Sequence, residues 1–92
     1  MTGWNVEPMA VISTAHLPED ECTRADAGIQ RGDLPLPGLA REEGFIVSVV
    51  GETLDGFPVL NRVLCAAREE GFDWLMFDRD APTVPGLPKF DW

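Results

Sequence analysis

Leu60, Val63, Leu64 and Ala67 recur at i, i+3, i+4 and i+7, with Asn61, Arg62, Arg68 and Glu69 on the opposite side. This amphipathic helix lies between two apolar runs, Phe45-Ile46-Val47-Ser48-Val49-Val50 and Trp74-Leu75-Met76-Phe77. Both runs are nearly continuous in apolar character, as strands covered on two faces tend to be. A strand, a crossover containing one helix of ~12 to 14 residues, and a second strand make a βαβ unit, so the two strands are expected to be parallel with a right-handed connection.

The hexapeptide Ala40-Arg41-Glu42-Glu43-Gly44-Phe45 recurs 27 residues later as Ala67-Arg68-Glu69-Glu70-Gly71-Phe72. Each copy precedes one of the apolar runs, and the pattern reads as a helix C-terminus stopped by a left-handed glycine and followed at once by a strand. Only six positions match, which favours convergence on one local solution over duplication, and solenoid architectures need longer and more numerous repeats.

Upstream, Met9-Ala10-Val11-Ile12-Ser13-Thr14 is a short β-branched run and is expected to be a first strand. Pro18-Glu19-Asp20-Glu21 then places a proline and three acids where a helix begins, predicting a helix from about Pro18 to Ala27. Gly28, Gly32, Pro35, Pro37 and Gly38 crowd together and predict a loop. After Asp80, three prolines exclude a helix, so 81–92 reads as an extended tail. Leu87, Phe90 and Trp92 would then either fold back over the small sheet or anchor a partner.

The chain has 92 residues, 45% of them apolar, enough for one folded domain with one core and too few for a second. The expectation is a small single α/β domain over 1–92. It has a sheet of about three strands, at least two of them parallel, two or three helices, and a Pro-rich C-terminal tail. Met1 to Pro8 lacks the basic and apolar regions of a secretory signal, and no run approaches the ~18 to 20 residues that span a bilayer, so a cytoplasmic protein is expected. Cys22 and Cys65 lie 43 positions apart with no Cys-x-x-Cys pair, and are read as two reduced thiols.

Charge carries the functional reading. Sixteen acids stand against seven Lys plus Arg, giving a formal net charge of -9, which disfavours direct binding to nucleic acid or anionic lipid. The basic residues are scattered singly, so no basic stripe forms. The acids are grouped as Glu19-Asp20-Glu21, Glu42-Glu43, Glu52 with Asp55, Glu69-Glu70 with Asp73, and Asp78 with Asp80. Such clusters can imitate phosphate spacing and occupy a positively charged channel of a nucleic-acid enzyme, whereas the plainer explanation is a solubilising surface.

Catalytic patterns are weak. Phe77-Asp78-Arg79-Asp80 ends an apolar strand as the nucleophile motif of haloacid-dehalogenase phosphotransferases does, but only twelve residues follow Asp80 and the threonine falls one position late. His16 lies near Ser13, Thr14, Glu19 and Cys22, without the Gly-x-Ser-x-Gly setting of a nucleophile elbow, and reads as a cap or hydrogen-bonded loop residue. No glycine-rich phosphate loop is present, so neither a cofactor nor a metal is expected.

Val11-Ile12-Ser13-Thr14-Ala15-His16, the segment from Trp74 to Asp80, and the ending Leu87-Pro88-Lys89-Phe90-Asp91-Trp92 together resemble a family of small bacterial proteins of uncharacterised function. Its members are often carried on plasmids and other mobile elements. The resemblance implies no catalytic residue. It implies a context in which small acidic inhibitors of host defence, anti-CRISPR and anti-restriction proteins among them, are encoded.

The expectation is therefore a non-enzymatic acidic protein that occupies the basic nucleic-acid-binding surface of a protein complex. Its partner-binding residues would be Glu19, Asp20, Glu21, Glu42, Glu43, Glu52, Asp55, Glu69, Glu70, Asp78 and Asp80. The alternative is a regulatory or self-associating interaction domain that uses the sheet edge and the aromatic tail.

Overall fold

The computed structural model describes residues 3–49 and 53–92. Strand β1 (Met9–Ser13) leads through a single 3-10 turn (Thr14–His16) into helix α1 (Glu19–Arg31). A hairpin of β2 (Gly38–Arg41) and β3 (Gly44–Ser48) follows, then helix α2 (Pro58–Glu69) and strand β4 (Trp74–Asp78). The sheet has four strands in the order β1-β4-β3-β2. It is mixed: β1 and β4 are parallel, and the other two pairs are antiparallel.

The two apolar runs are the central strands, β3 and β4, but they are antiparallel, not the parallel pair of a βαβ unit. The nine residues from Val49 to Phe57 can reach ~30 Å, more than the ~18 Å length of a twelve-residue helix. Outgoing chain and returning helix can therefore end at the same edge of the sheet, where the Val49 amide donates to the Asp73 carbonyl at 3.0 Å. A helix between two strands implies parallel pairing only when the linkers are too short for that return.

The two copies of the repeated hexapeptide adopt different structures. In the second copy, Gly71 takes φ 92°, and the amides of Gly71 and Phe72 donate to the carbonyls of Arg68 and Ala67, which closes α2 with a Schellman motif. In the first copy, Ala40 and Arg41 belong to β2, and Glu42-Glu43 forms the two-residue hairpin loop that sets Arg41 opposite Gly44. Here the glycine serves close approach: a Cβ at Gly44 would lie 1.8 Å from the Phe77 carbonyl oxygen. The fourth strand, β2, is hidden in the sequence by this likeness.

Helix α1 runs past Ala27, through Gly28, to Arg31. Gly28 is buried against Leu34, where a Cβ would stand 3.1 Å from the leucine side chain, so it serves helix packing instead of breaking the helix. The Gly and Pro loop is thereby reduced to 32–37.

Alternation sends Ile12, Phe45, Val47, Leu75 and Phe77 to one face of the sheet, where all are buried in one cluster with Ala25 of α1 and Leu60, Val63, Leu64 and Ala67 of α2. The Phe45 and Phe77 rings lie 5.0 Å apart at its centre. Both helices therefore cover the same face. No helix among the described residues is long and apolar enough to cross a membrane.

Candidate functional site

The acids singled out by the sequence fall at three corners. At the start of α1, Glu19 and Asp20 are exposed, and Asp20 pairs with Arg24 at 3.0 Å. Asp55 is exposed beside Gly56, whose carbonyl also accepts from Arg24. At the β2–β3 turn, Glu43 pairs with Arg41 at 3.1 Å while Glu42 is exposed. The register Gly44 to Asp78 and the bond from the Arg79 amide to the Glu43 carbonyl bring Asp78 and Asp80 to the same end. At the opposite end of β4, Glu69 and Glu70 are exposed at the close of α2, near Asp73 and Glu7. Glu52 lies outside the described residues.

These corners do not form one patch. Two of them stand at opposite ends of a five-residue strand, ~17 Å apart. An arginine is ion-paired within each of the first two, whereas Glu69 and Glu70 have no ion pair among the described residues.

Glu21 departs from the expected set. It is only 3% exposed, and its carboxylate accepts the amides of Val59 and Leu60 at 3.2 and 2.9 Å. Helix α2 has Phe57 at its N-cap, with no side-chain cap of its own, and Pro58 at its first position, which has no N–H. The two remaining free amides of the first turn are satisfied by a carboxylate from the other helix, which also meets the positive end of the helix dipole. Arg24 strengthens this junction, with its guanidinium 4.5 Å above the Phe57 ring. Glu21 therefore joins the two helices and is turned away from any partner.

The motifs at the two ends of the chain meet. His16 is fully buried, its Nε2 accepts the Val84 amide at 2.9 Å, and its Nδ1 lies 2.6 Å from the Pro88 carbonyl. An amide can only donate and a carbonyl only accept, so Nδ1 carries the proton and both nitrogens are committed. The Phe90 amide donates to the Ala15 carbonyl and Trp92 Nε1 to the Leu17 carbonyl. Leu87 packs against the core, and Trp92 remains 55% exposed. His16 thus clamps the tail and has no free nitrogen for base catalysis. Asp78 accepts the Asp80 amide at 2.8 Å, closing the turn after β4.

The two thiols differ. Burial, and then the Asp26 carboxylate, push Cys22 up to about 11 from 9.0, while Cys65 is exposed. A thiol-alkylating reagent at about pH 8 is expected to modify Cys65 and spare Cys22, as read by peptide mass mapping, because the thiolate is the reactive form. The folded state holds the Cys22 proton more tightly than the unfolded chain, so this contribution to stability is complete below pH 9.0 and is lost as pH rises through about 11. Cys22→Ala is expected to remove that alkaline component from a pH series of denaturant midpoints; an unchanged alkaline fall would assign it to other groups.

Concave surfaces lie among the described residues. An open apolar groove of about 570 Å³ runs between α2, β1 and the tail, lined by Val11, Val63, Phe72, Val84 and Leu87, with Glu69 and Glu70 at its margin. A smaller cleft of about 260 Å³ lies at the carboxyl ends of β1 and β4, lined by Thr14, Cys22, Asp26, Phe45, Arg79 and Trp92.

The opposite face of the sheet is the feature that sequence reasoning missed. Val11, Met76, Ile46 and Leu39 stand in register across all four strands. They point away from the helices, flanked by Met9 and Trp74, and Val11 and Leu39 are 45% and 61% exposed. Their signal was the unbroken apolar character of β3 and β4, which suggested cover on both faces. Among the described residues, the helices cover only the other face, although Ser13 and Ser48 at the two ends of this one are buried.

No curated protein and no solved structure matches the chain. A family model described as the C-terminal domain of a family of unknown function, DUF5983, matches residues 9–92, from the first residue of β1 through the clamped tail, and the chain belongs to that family.

Proposed function

We propose that this protein is a non-enzymatic, acidic binding protein that occupies a basic nucleic-acid-binding surface of a protein complex. In the setting of a bacterial mobile element, the complex would be a host defence effector, and the protein would act as an anti-CRISPR or anti-restriction inhibitor. The observation that carries the reading is the surplus of exposed carboxylates: three ion pairs among the described residues leave Glu19, Glu42, Asp55, Glu69, Glu70 and Asp80 without a basic partner. Glu69 and Glu70 are the strongest candidates, because no arginine is paired with them and they border a groove.

Capture of nucleic-acid-binding proteins from a bacterial lysate is expected to fall steeply between about 50 and 200 mM salt and to be competed by duplex DNA. The double reversal Glu69→Lys with Glu70→Lys should weaken that capture while leaving the melting temperature nearly unchanged. Capture indifferent to salt and to DNA would remove the electrostatic reading. The apolar sheet face that the helices leave open supports the second reading, an interaction domain that binds through apolar surface, for which salt should matter little.

A further inference from the structure

We infer that the sheet face opposite the two helices docks an amphipathic helix of a protein partner, with its apolar stripe across Val11, Met76, Ile46 and Leu39 and with Lys or Arg along its flanks. This rests on reading the chain as a binding protein, and it names the shape and charge of what is bound.

The first ground is the conflict between sequence and cover. A sheet that faces water on one side normally carries polar residues there, whereas the middle row of this face is Val11, Met76, Ile46 and Leu39, continued by Met9 and Trp74, and polar residues and a glycine (Ser13, Arg41, Gly44, Ser48 and Asp78) stand only at its two ends. Residues 3–8 do not cover them, since Trp4 and Val6 are 80% and 81% exposed.

The second ground is the charge at the rim. Glu7 accepts from Trp74 Nε1 at 2.6 Å, which places its carboxylate at one end of the face, and Asp78 stands at the other. Arg41 donates to Met76 Sδ and is neutralised by Glu43. The face is therefore an apolar centre with an acidic margin, complementary to an apolar stripe with basic flanks.

A second copy of the chain is a poorer occupant. It would bring another charge of -9 against the first. An anionic membrane is opposed by the same margin. A helix fits: three turns reach ~16 Å, enough to cross the ~14 Å between the outer two of four strands, and helix on sheet is the layer the fold lacks on this side.

The test titrates ¹⁵N-labelled protein with a synthetic amphipathic peptide of about 18 residues, Leu on one stripe and Lys and Arg on the flanks. Saturable amide shifts are expected at Val11, Leu39, Ile46 and Met76, and little change at Leu60 and Val63. Val11→Asn with Leu39→Asn should weaken binding at least about tenfold without lowering the melting temperature, and Glu in place of the basic flanks should weaken it by a similar factor. Absence of saturable shifts, or shifts confined to Val63, Phe72 and Leu87 in the groove beside α2, would overturn the proposal. So would sedimentation showing self-association that the double Asn variant abolishes, because the occupant would then be a second copy. The Asn pair and the Glu69→Lys, Glu70→Lys pair separate the two readings. Lysate capture lost only in the lysine pair defeats the helix proposal and keeps the electrostatic one, and capture lost only in the Asn pair does the reverse.

Discussion

Gly44→Ala is expected to be the most damaging single-methyl change in the protein. The added Cβ would lie 1.8 Å from the carbonyl oxygen of Phe77 and 2.8 Å from its carbonyl carbon. Neither atom can turn aside as a side chain can, because Phe77 belongs to central strand β4 and its ring is fully buried against Phe45. Relief requires β3 and β4 to separate where Gly44 faces Asp78 and Phe45 faces Phe77. Overpacking of this kind costs about 3 kcal/mol or more, a large share of the ~5 to 15 kcal/mol that holds a small domain folded. The melting temperature should fall by more than about 12 °C, read by circular dichroism. Gly71→Ala is the control. It has open space around the Cβ but a φ of 92°, so only backbone strain of about 1 kcal/mol is expected. If the two variants melt together, the close approach of β3 to β4 is not what fixes Gly44.

The contrast between Gly44 and Gly71 also shows why part of the fold was legible in the sequence and part was not. Identical hexapeptides gave one hairpin and one helix end, because what distinguishes them lies outside the six residues. Upstream of Gly71 is the buried stripe Leu60, Val63, Leu64 and Ala67, whereas upstream of Gly44 are Pro35 and Pro37, which permit no helix. The periodic helix α2 and the continuous apolar runs of β3 and β4 could be read directly, and so could β1 and the proline-led start of α1. Strand direction could not, because nine residues of linker before α2 allow the chain to return at either end of the sheet. The His16 clamp was equally hidden, since its partners Val84 and Pro88 are 68 and 72 residues away and contribute only backbone atoms. Glu21 did leave a signal. It shares the stripe of Ala25 and Gly28 at i, i+4 and i+7, the buried side of α1, and this spacing separates it from Glu19 and Asp20.

Glu21→Ala is accordingly expected to act on folding and not on partner recognition. The substitution strips the Val59 and Leu60 amides of their acceptor at the start of α2, and Leu60 is fully buried, so water cannot replace the lost bond without opening the junction between the helices. Hydrogen bonds to a charged acceptor are worth about 1.5 to 3 kcal/mol each, which puts the combined loss near 3 kcal/mol. Glu21→Gln keeps one carbonyl acceptor but turns an NH₂ group toward the second amide, so it should recover less than half of that loss. Asp20→Asn, which breaks an exposed pair with Arg24, should shift the denaturation midpoint only slightly. Urea denaturation of the three variants orders them, and amide exchange localises the effect: faster exchange is expected first in the opening turn of α2. A Glu21→Ala protein as stable as the parent, yet weakened in capture of basic partners, would return Glu21 to the surface set and remove the cross-helix cap.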